Sequence, residues 1–273
     1  MNTTRSDLQG QTAVISGAAS GIGEHLARYA AAELEMTVVV ADVDLDRATT
    51  VARDITYNGG TARAQHVDVA DWSSVQQLAE ATRNEYGTPA LLVCNAGVEM
   101  TGFVWDTDPR QWERVQAINV NGAFHLMRAF LPTMIDRTSR GHVLCTSSVG
   151  GIAIGASQSA YTVSKHSIRV LAQSLEADLE SARANIGVSI LVPAAVRTRI
   201  FDDAATTGDS SAENYRTQLA AHLANDGLSP ESVAALTFEQ LTTGARWIHT
   251  HPEMSSTYIE QHYADLTSGL EVL

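Results

Sequence analysis

The sequence predicts an α/β protein, a doubly wound parallel sheet with helices on both faces, in one domain spanning residues 1–273. Three observations carry that expectation. Short β-branched runs alternate with helical patterns for most of the chain, the strand-like runs are apolar at every position, and the connections are short. A strand with one wet face would alternate apolar and polar residues, so continuous apolar runs mean both faces are covered. Regular strand–helix alternation is the signature of parallel strands joined by crossover helices.

The elements follow in order. "TAVISG" (12–17) reads as a strand, "GIGEHLARYAAAEL" (21–34) as a helix and "TVVVAD" (37–42) as the second strand. A helix over 45–55, a strand over 62–69, a helix over 72–86 and the strand "ALLVCNAG" (90–97) come next. One long helix is expected from Pro109 to Met134, then a strand over 141–148. A helix ending near Ser181 and the strand "GVSILVP" (187–193) complete the regular part. Residues 199–230 are polar and weakly periodic, too long for an ordinary connection, and read as a substrate lid or a surface loop. A capped helix opens at Ser229, Pro230 and Glu231, "ARWIHT" is a last strand, and a helical extension occupies 252–273.

Composition narrows the function. The 18 basic and 31 acidic residues leave a net charge of −13, which argues against nucleic acid or an anionic membrane as partner. No apolar run reaches the length of a membrane span, and "MNTTRSDLQG" lacks the apolar core of a signal peptide. A cytoplasmic location is expected, with Cys94 and Cys145 as small core residues rather than zinc ligands. "HTH" (249–251) has no third ligand nearby and reads as ordinary strand-end histidines.

Between the first strand and the first helix lies "SGAASGIG" (16–23), with Gly17, Gly21 and Gly23. Side chains there would block the backbone from approaching a pyrophosphate, and the helix N-terminus adds free N–H groups and partial positive charge. Asp42 ends the second strand, where a carboxylate bonds both hydroxyls of an adenosine ribose and repels a 2′-phosphate. NAD is therefore expected over NADP. Further on, Tyr161 and Lys165 stand four apart on one helical face. Either they form an inconsequential exposed pair, or the ammonium tunes the phenol as a proton donor. A free phenol titrates near ~10, and bringing it to about 7 takes roughly 4 kcal/mol, which Lys165 and a cationic nicotinamide together can supply. Asn119 sits in an apolar helical stripe, where an amide by itself reads as an ordinary buried hydrogen-bonded group.

Taken together, these motifs over residues 8–198 resemble the short-chain dehydrogenase/reductase family. "SGAASGIG" resembles its TGxxxGxG loop, "CNAG" (94–97) its NNAG motif, "YTVSK" its YxxxK and "PAAVRT" (193–198) its PGxVxT. The resemblance implies a Rossmann-type fold and a catalytic set of Asn119, Ser148, Tyr161 and Lys165. It implies that NAD lies against Gly17, Ser20, Gly21, Ile22, Gly23 and Asp42, with Asp68 and Val69 near the adenine. Asn95, Ala96, Gly97, Tyr161, Lys165, Pro193, Val196 and Thr198 would complete the cofactor contacts. Ser16, Cys94 and Ala194 depart from the motifs, and Ala194 forbids a left-handed backbone without strain of roughly 1 kcal/mol. The ending, "WIHTHPE" and a helix, is similar to that of relatives that oxidise bulky, often aromatic, secondary alcohols, including benzylic Cα-dehydrogenases of lignin aryl ethers.

The expected activity is NAD-dependent interconversion of a hydrophobic secondary alcohol and its ketone. Gly150, Ile152, Ala153, Val98, Met100 and Ala194 are the expected pocket wall, with Phe201 and Tyr215 from the lid. A catalytically silent NAD-binding sensor and an epimerase or dehydratase are the alternatives. Apolar residues beyond one stripe (Phe124, Leu126, Leu131, Ile168, Leu171 and Leu175) predict a homodimer or homotetramer.

Overall fold

The computed structural model describes residues 3–270. A short turn of helix, α1 (Arg5–Leu8), leads into β1 (Thr12–Ser16), α2 (Gly21–Glu33), β2 (Thr37–Asp42) and α3 (Leu45–Tyr57). β3 (Thr61–His66), α4 (Trp72–Tyr86), β4 (Leu91–Cys94) and the two-residue β5 (Met100–Thr101) follow. Then come α5 (Pro109–Gln116), α6 (Gly122–Ile135), β6 (Gly141–Thr146), α7 (Ser159–Ser181) and β7 (Ile186–Val192). β8 (Ala205–Thr206), α8 (Ser210–Asp226), α9 (Pro230–Thr242), β9 (Trp247–His249) and α10 (Pro252–Thr267) close the order. Among the described residues, no helix is long and apolar enough to cross a membrane.

Seven strands form one sheet in the order β3-β2-β1-β4-β6-β7-β9, every neighbouring pair parallel. The chain winds outward from β1 through β2 to β3, then returns to the other side of β1 at β4. Such a reversal opens a crevice at the carboxyl ends of the strands, where doubly wound sheets bind ligands. The period of two in a strand distributes β1 between two cores. Ala13 and Ile15 pack with Leu26, Ala27 and Ala30 of α2 and with Phe238 and Leu241 of α9. Val14 faces the opposite core, with Val75 and Leu78 of α4, Phe130 and Met134 of α6, and Ile168 and Ala172 of α7. Truncating a side chain such as Phe130, which is fully buried, costs about 3–5 kcal/mol.

Two expectations are corrected. The helix expected over 109–134 is two helices, because one π turn (Ala117–Asn121) separates α5 from α6. The extra residue in that turn re-aims Asn119, and hydrophobic periodicity does not register it. The weakly periodic stretch 199–230 contains β8 and a 17-residue helix, α8, capped by Asp209 accepting from the Ser211 and Ala212 N–H groups. β8 pairs in parallel with β5, Met100 opposite Ala205 and Thr101 opposite Thr206. That pairing ties this segment to the chain just beyond β4.

A buried polar chain fastens the far edge of the sheet. The Arg140 Nε donates to Thr3 Oγ1 (3.0 Å), which donates to His142 Nδ1 (2.8 Å). His142 Nε2 is 3.0 Å from Ser189 Oγ, which spends its own proton on the Ala245 carbonyl (2.6 Å). The donors run one way, so they specify a neutral imidazole protonated on Nε2. Burial, aided by Arg140, pushes the His142 pKa down to about 3. The unfolded chain takes up this proton near pH ~6.5 while the native state refuses it, so stability is complete above that pH and falls below it. His142→Asn should be less stable at pH 7.5 but should lose less on acidification to pH 5, the slopes differing by up to ~1.4 kcal/mol per pH unit. Urea unfolding at the two pH values reads this, and equal slopes would show that His142 takes up its proton in the native state.

Candidate active site

The glycine loop bends from β1 into α2 through left-handed φ values at Gly17 (64°) and Gly21 (56°). A Cβ on Gly17 would come 2.8 Å from the Ala96 Cα, and one on Gly23 would come 2.1 Å from the Gly17 carbonyl oxygen. Both glycines are therefore demanded by the packing of the chain on itself, a requirement separate from the ligand approach expected from sequence. Gly17, Ser20, Gly21 and Ile22 line a cavity of about 710 Å³, while Gly23 is not among its lining residues. Ser20 starts α2 without a side-chain cap, so the first amides of the helix keep their capacity to bind an anion.

Asp42 lines the same cavity and holds the loop from below. Its Oδ2 accepts from the Ala19 N–H (2.9 Å) and its Oδ1 from that of Asp44 (3.0 Å). Beside it, Asp68 and Val69 form one end of the cavity wall. A helix N-terminus with free amides, followed by a carboxylate at the end of the second strand, fits a dinucleotide.

The crevice at the switch point is braced by two side chains. Ser16 Oγ donates to the Val93 carbonyl (3.1 Å) and accepts from the N–H groups of Asn95 (3.0 Å) and Ala96 (3.2 Å). The Asn95 Nδ2 donates to the carbonyls of Ser16 (3.1 Å) and Gly17 (3.2 Å), and its Oδ1 accepts from Thr146 Oγ1 (3.1 Å). The Asn95 amide is thus committed to joining the ends of β1, β4 and β6. Asn95, Ala96 and Gly97 nonetheless line the cavity, as do Pro193, Val196 and Thr198. Ala194 lines it too, with its N–H on Thr250 Oγ1 (3.0 Å) and no left-handed backbone.

Ser148, Tyr161 and Lys165 meet in the middle of the cavity. One turn of α7 sets Lys165 Nζ 5.5 Å from the Tyr161 ring centroid. The ammonium is held by a bond to the Thr146 carbonyl (3.1 Å), and Ser148 Oγ accepts from the Gly150 N–H (3.0 Å). Asn119 lies behind them, 2% exposed. Its Oδ1 accepts from the Val98 N–H (2.8 Å), and its Nδ2 donates to the Val98 carbonyl (3.0 Å) and Ser164 Oγ (2.9 Å). Asn119 is a buried amide within the π turn, hydrogen-bonded at both ends, and it pins the segment after β4.

Burial dominates the electrostatics of this pair. It drives the Lys165 pKa down to about 8, opposed by the negative charge of Glu99. Burial also raises the Tyr161 pKa, helped by Glu99 and opposed by the Ser148 hydroxyl. The sequence expectation of a lowered phenol invoked Lys165 together with a cationic nicotinamide, and for the chain by itself burial sets the opposite direction. Losing water costs the phenolate more than the nearby ammonium returns. Glu99, 2% exposed, is a residue that sequence reading missed, and burial pushes its own carboxyl up to about 8. A lone acid in the apolar run "VEM" was the available signal.

Val98, Gly150, Ala153, Phe201 and Tyr215 line the cavity as expected. Ile152 and Met100 do not, since both are packed into hydrophobic clusters. Gln158, Ile154, Leu219, Met254 and Tyr258 take places in the wall that sequence did not assign. Arg114 and Arg199 also border it, and Arg199 pairs with Asp203 (3.0 Å).

Residues 11–208 match the short chain dehydrogenase family. The chain belongs to the short-chain dehydrogenase/reductase family. The oxidoreductase is similar to a short-chain dehydrogenase/reductase from Burkholderia phymatum solved in complex with NAD, at 32% identity, 96% coverage of both chains and a TM-score of 0.91. It is 34% identical over 194 residues to the probable oxidoreductase EphD of Mycobacterium tuberculosis. That match spans 71% of this chain but 32% of EphD, so this chain corresponds to about a third of that relative. The 1-deoxy-11-beta-hydroxypentalenate dehydrogenase of Streptomyces exfoliatus is also 34% identical, over 70% of this chain and 69% of its own.

Proposed function

We propose that this oxidoreductase uses NAD to interconvert a hydrophobic secondary alcohol, including aryl alcohols, and its ketone. The observation that carries the reading is one cavity running from Asp42 and the first turn of α2 to Ser148, Tyr161 and Lys165. The free amides of α2 would take the pyrophosphate, and Asp42 the adenosine ribose. When bound, NADH supplies a hydride, and its oxidised form a positive charge beside the phenol.

Tyr161 gives its proton to the carbonyl oxygen in reduction and recovers it in oxidation. Ser148 holds that oxygen in place by a hydrogen bond. Lys165, fixed through the Thr146 carbonyl, would hold the nicotinamide ribose and contributes charge near the phenol. With burial raising the Tyr161 pKa, the phenol stays protonated in the free protein, and the positive charge of the bound oxidised cofactor favours its ionisation. Ile154, Phe201, Leu219 and Met254 make the substrate end apolar, which favours an uncharged organic alcohol. Two buried free thiols and the acidic surface suit a cytoplasmic enzyme.

The assembly reading is a dimer or tetramer of identical chains. Of the apolar residues expected on its surface, only Phe124 is exposed (51%), while Leu126, Leu131 and Ile168 are buried and Leu171 and Leu175 are half-buried. Val163 and Val170 on α7 add to the exposed set. Light scattering at micromolar concentration should give twice or four times the chain mass, and a 29.2 kDa particle would refute association.

Turnover efficiency with NAD should exceed that with NADP by at least ~100-fold, about 2.7 kcal/mol. Asp42→Ala should narrow the gap mainly by improving NADP. Equal efficiency in the parent would contradict the role given to Asp42.

Tyr161→Phe should lower turnover by ~10²–10⁴-fold while NADH binding, followed by fluorescence, stays close to that of the parent. Lys165→Ala should weaken both. Turnover of Tyr161→Phe within a few-fold of the parent would move proton transfer to another group. A sensor would bind NADH without any alcohol of a broad panel being oxidised.

A further inference from the structure

Glu99 is a buried carboxyl that the proposed chemistry does not use. Its Oε1 accepts from the Met100 N–H (3.0 Å) and its Oε2 from Gln158 Nε2 (3.2 Å). Gln158 Oε1 in turn lies 3.2 Å from the Tyr215 hydroxyl. The Gln158 NH₂ faces Glu99 and its oxygen faces the Tyr215 hydroxyl, which donates. The three side chains form one directed array across the cavity wall, all of them lining the cavity. Gln158 stands three residues before Tyr161, and Tyr215 belongs to α8. The same cavity is lined by apolar Val98, Ile154, Leu219 and Met254, with Arg114, Arg199, Asp203 and His222 also on its wall.

The backbone holds Glu99 rigidly on both sides. Its carbonyl accepts from the Ala205 N–H (3.3 Å) at the start of the β5–β8 pair. Two residues beyond β5's first position, the Gly102 N–H donates to the Ser157 carbonyl (2.8 Å), beside Gln158. Among the described residues Glu99 forms no ion pair. Burying a carboxyl without a cation in contact costs several kcal/mol, and a neutral glutamine would also fit, keeping the Met100 bond and donating to a Gln158 amide turned end for end. The acid is not needed for packing, so its place in the wall calls for a ligand.

Resting on the alcohol–ketone reading above, we infer that Glu99, oriented by Gln158 and Tyr215, is a specificity-determining residue that binds a second hydroxyl group on the substrate. The substrate class becomes a diol, or the matching hydroxyketone, whose second hydroxyl meets the Glu99 carboxyl in the cavity wall. Each carboxyl oxygen has two lone pairs and one protein partner, so acceptor capacity remains for a hydroxyl. With its pKa pushed up to about 8 by burial, the carboxyl is present both as acid and as carboxylate near neutral pH. A hydroxyl both donates and accepts and suits either form. An ammonium only donates, and the Lys165 charge that acts on Glu99 also repels it.

The test compares an aryl propanol, the aryl propanediols of the same skeleton and the matching amino alcohol, with NAD, in the parent, Glu99→Met and Glu99→Gln. The parent should favour one diol over the mono-alcohol by at least ~10-fold in kcat/KM and should not favour the amino alcohol. Glu99→Met, which keeps length and loses both oxygens, should bring the diol ratio to within about 2-fold of unity, and Glu99→Gln should fall between. A purely electrostatic role toward Lys165 would change both alcohols alike and leave the ratio where it was. No diol preference in the parent, or an unchanged ratio in Glu99→Met, overturns the inference. If a melting curve shows that Glu99→Met does not fold, the Glu99→Gln ratio decides in the same way. If the parent oxidises none of these alcohols, the alcohol–ketone reading fails by itself. Diol and mono-alcohol binding to the NADH complex, read by fluorescence, then tests Glu99: a diol preference lost in the variants supports it, and equal binding in the parent overturns it.

Discussion

At the carboxyl ends of β1, β4 and β6, Ser16 and Asn95 join three strands through side-chain bonds to backbone, and everything functional hangs from that point. The glycine loop leaves from Ser16, the cavity floor passes through Ala96 and Gly97, and Thr146 links Asn95 to Lys165 through its own carbonyl. A parallel sheet opens at its switch point, which leaves backbone groups there without ladder partners. Ser16 and Asn95 satisfy them with short side chains, so the crevice stays open without orphaned polar groups. Gly17 and Gly23 follow from the same crowding, because the loop passes too close to Ala96 and to itself for any Cβ.

Desolvation is the second organising constraint. Tyr161, Lys165 and Glu99 are nearly inaccessible to solvent, and for each the loss of water is the largest influence on its pKa. Burial favours the neutral form of all three, which is why Lys165 falls to about 8 while Glu99 rises to about 8. Glu99 and Lys165 each oppose the other's neutralisation. A site of this kind is sensitive to the charge of whatever binds, because little water remains to screen it.

The link from the cavity to residues 199–230 runs through a small piece of backbone. β5 pairs with β8, and the chain just beyond β5 bonds to the loop that precedes α7. The five-residue stretch from Val98 to Gly102 thereby touches the 199–230 segment, the loop before Tyr161 and, through Asn119 on Val98, the π turn. Glu99 stands within this stretch, so its backbone position is fixed by all three neighbours.

The sequence by itself determined the parallel doubly wound sheet and the glycine loop, and it singled out Asp42, Ser148, Tyr161 and Lys165, which the fold brings to one cavity. Apolar runs, glycine spacing and one-turn periodicity are local patterns, and each maps directly onto an element or a helical face. Only the tertiary structure decided the π turn at Asn119, since one extra residue in a helix leaves hydrophobic periodicity almost intact. The helix α8 was hidden because much of it faces solvent and buries only Ala212 and Leu223, too few apolar residues for a stripe. Ile152 and Met100 were misplaced in the pocket because an apolar side chain after a motif serves a core and a cavity wall equally well. The direction of the Tyr161 pKa depends on water lost from every side of the ring, and Glu99 comes near it only through the β5–β8 and Gly102–Ser157 contacts. Such distances are set by packing between segments far apart in the chain, where sequence spacing carries no information.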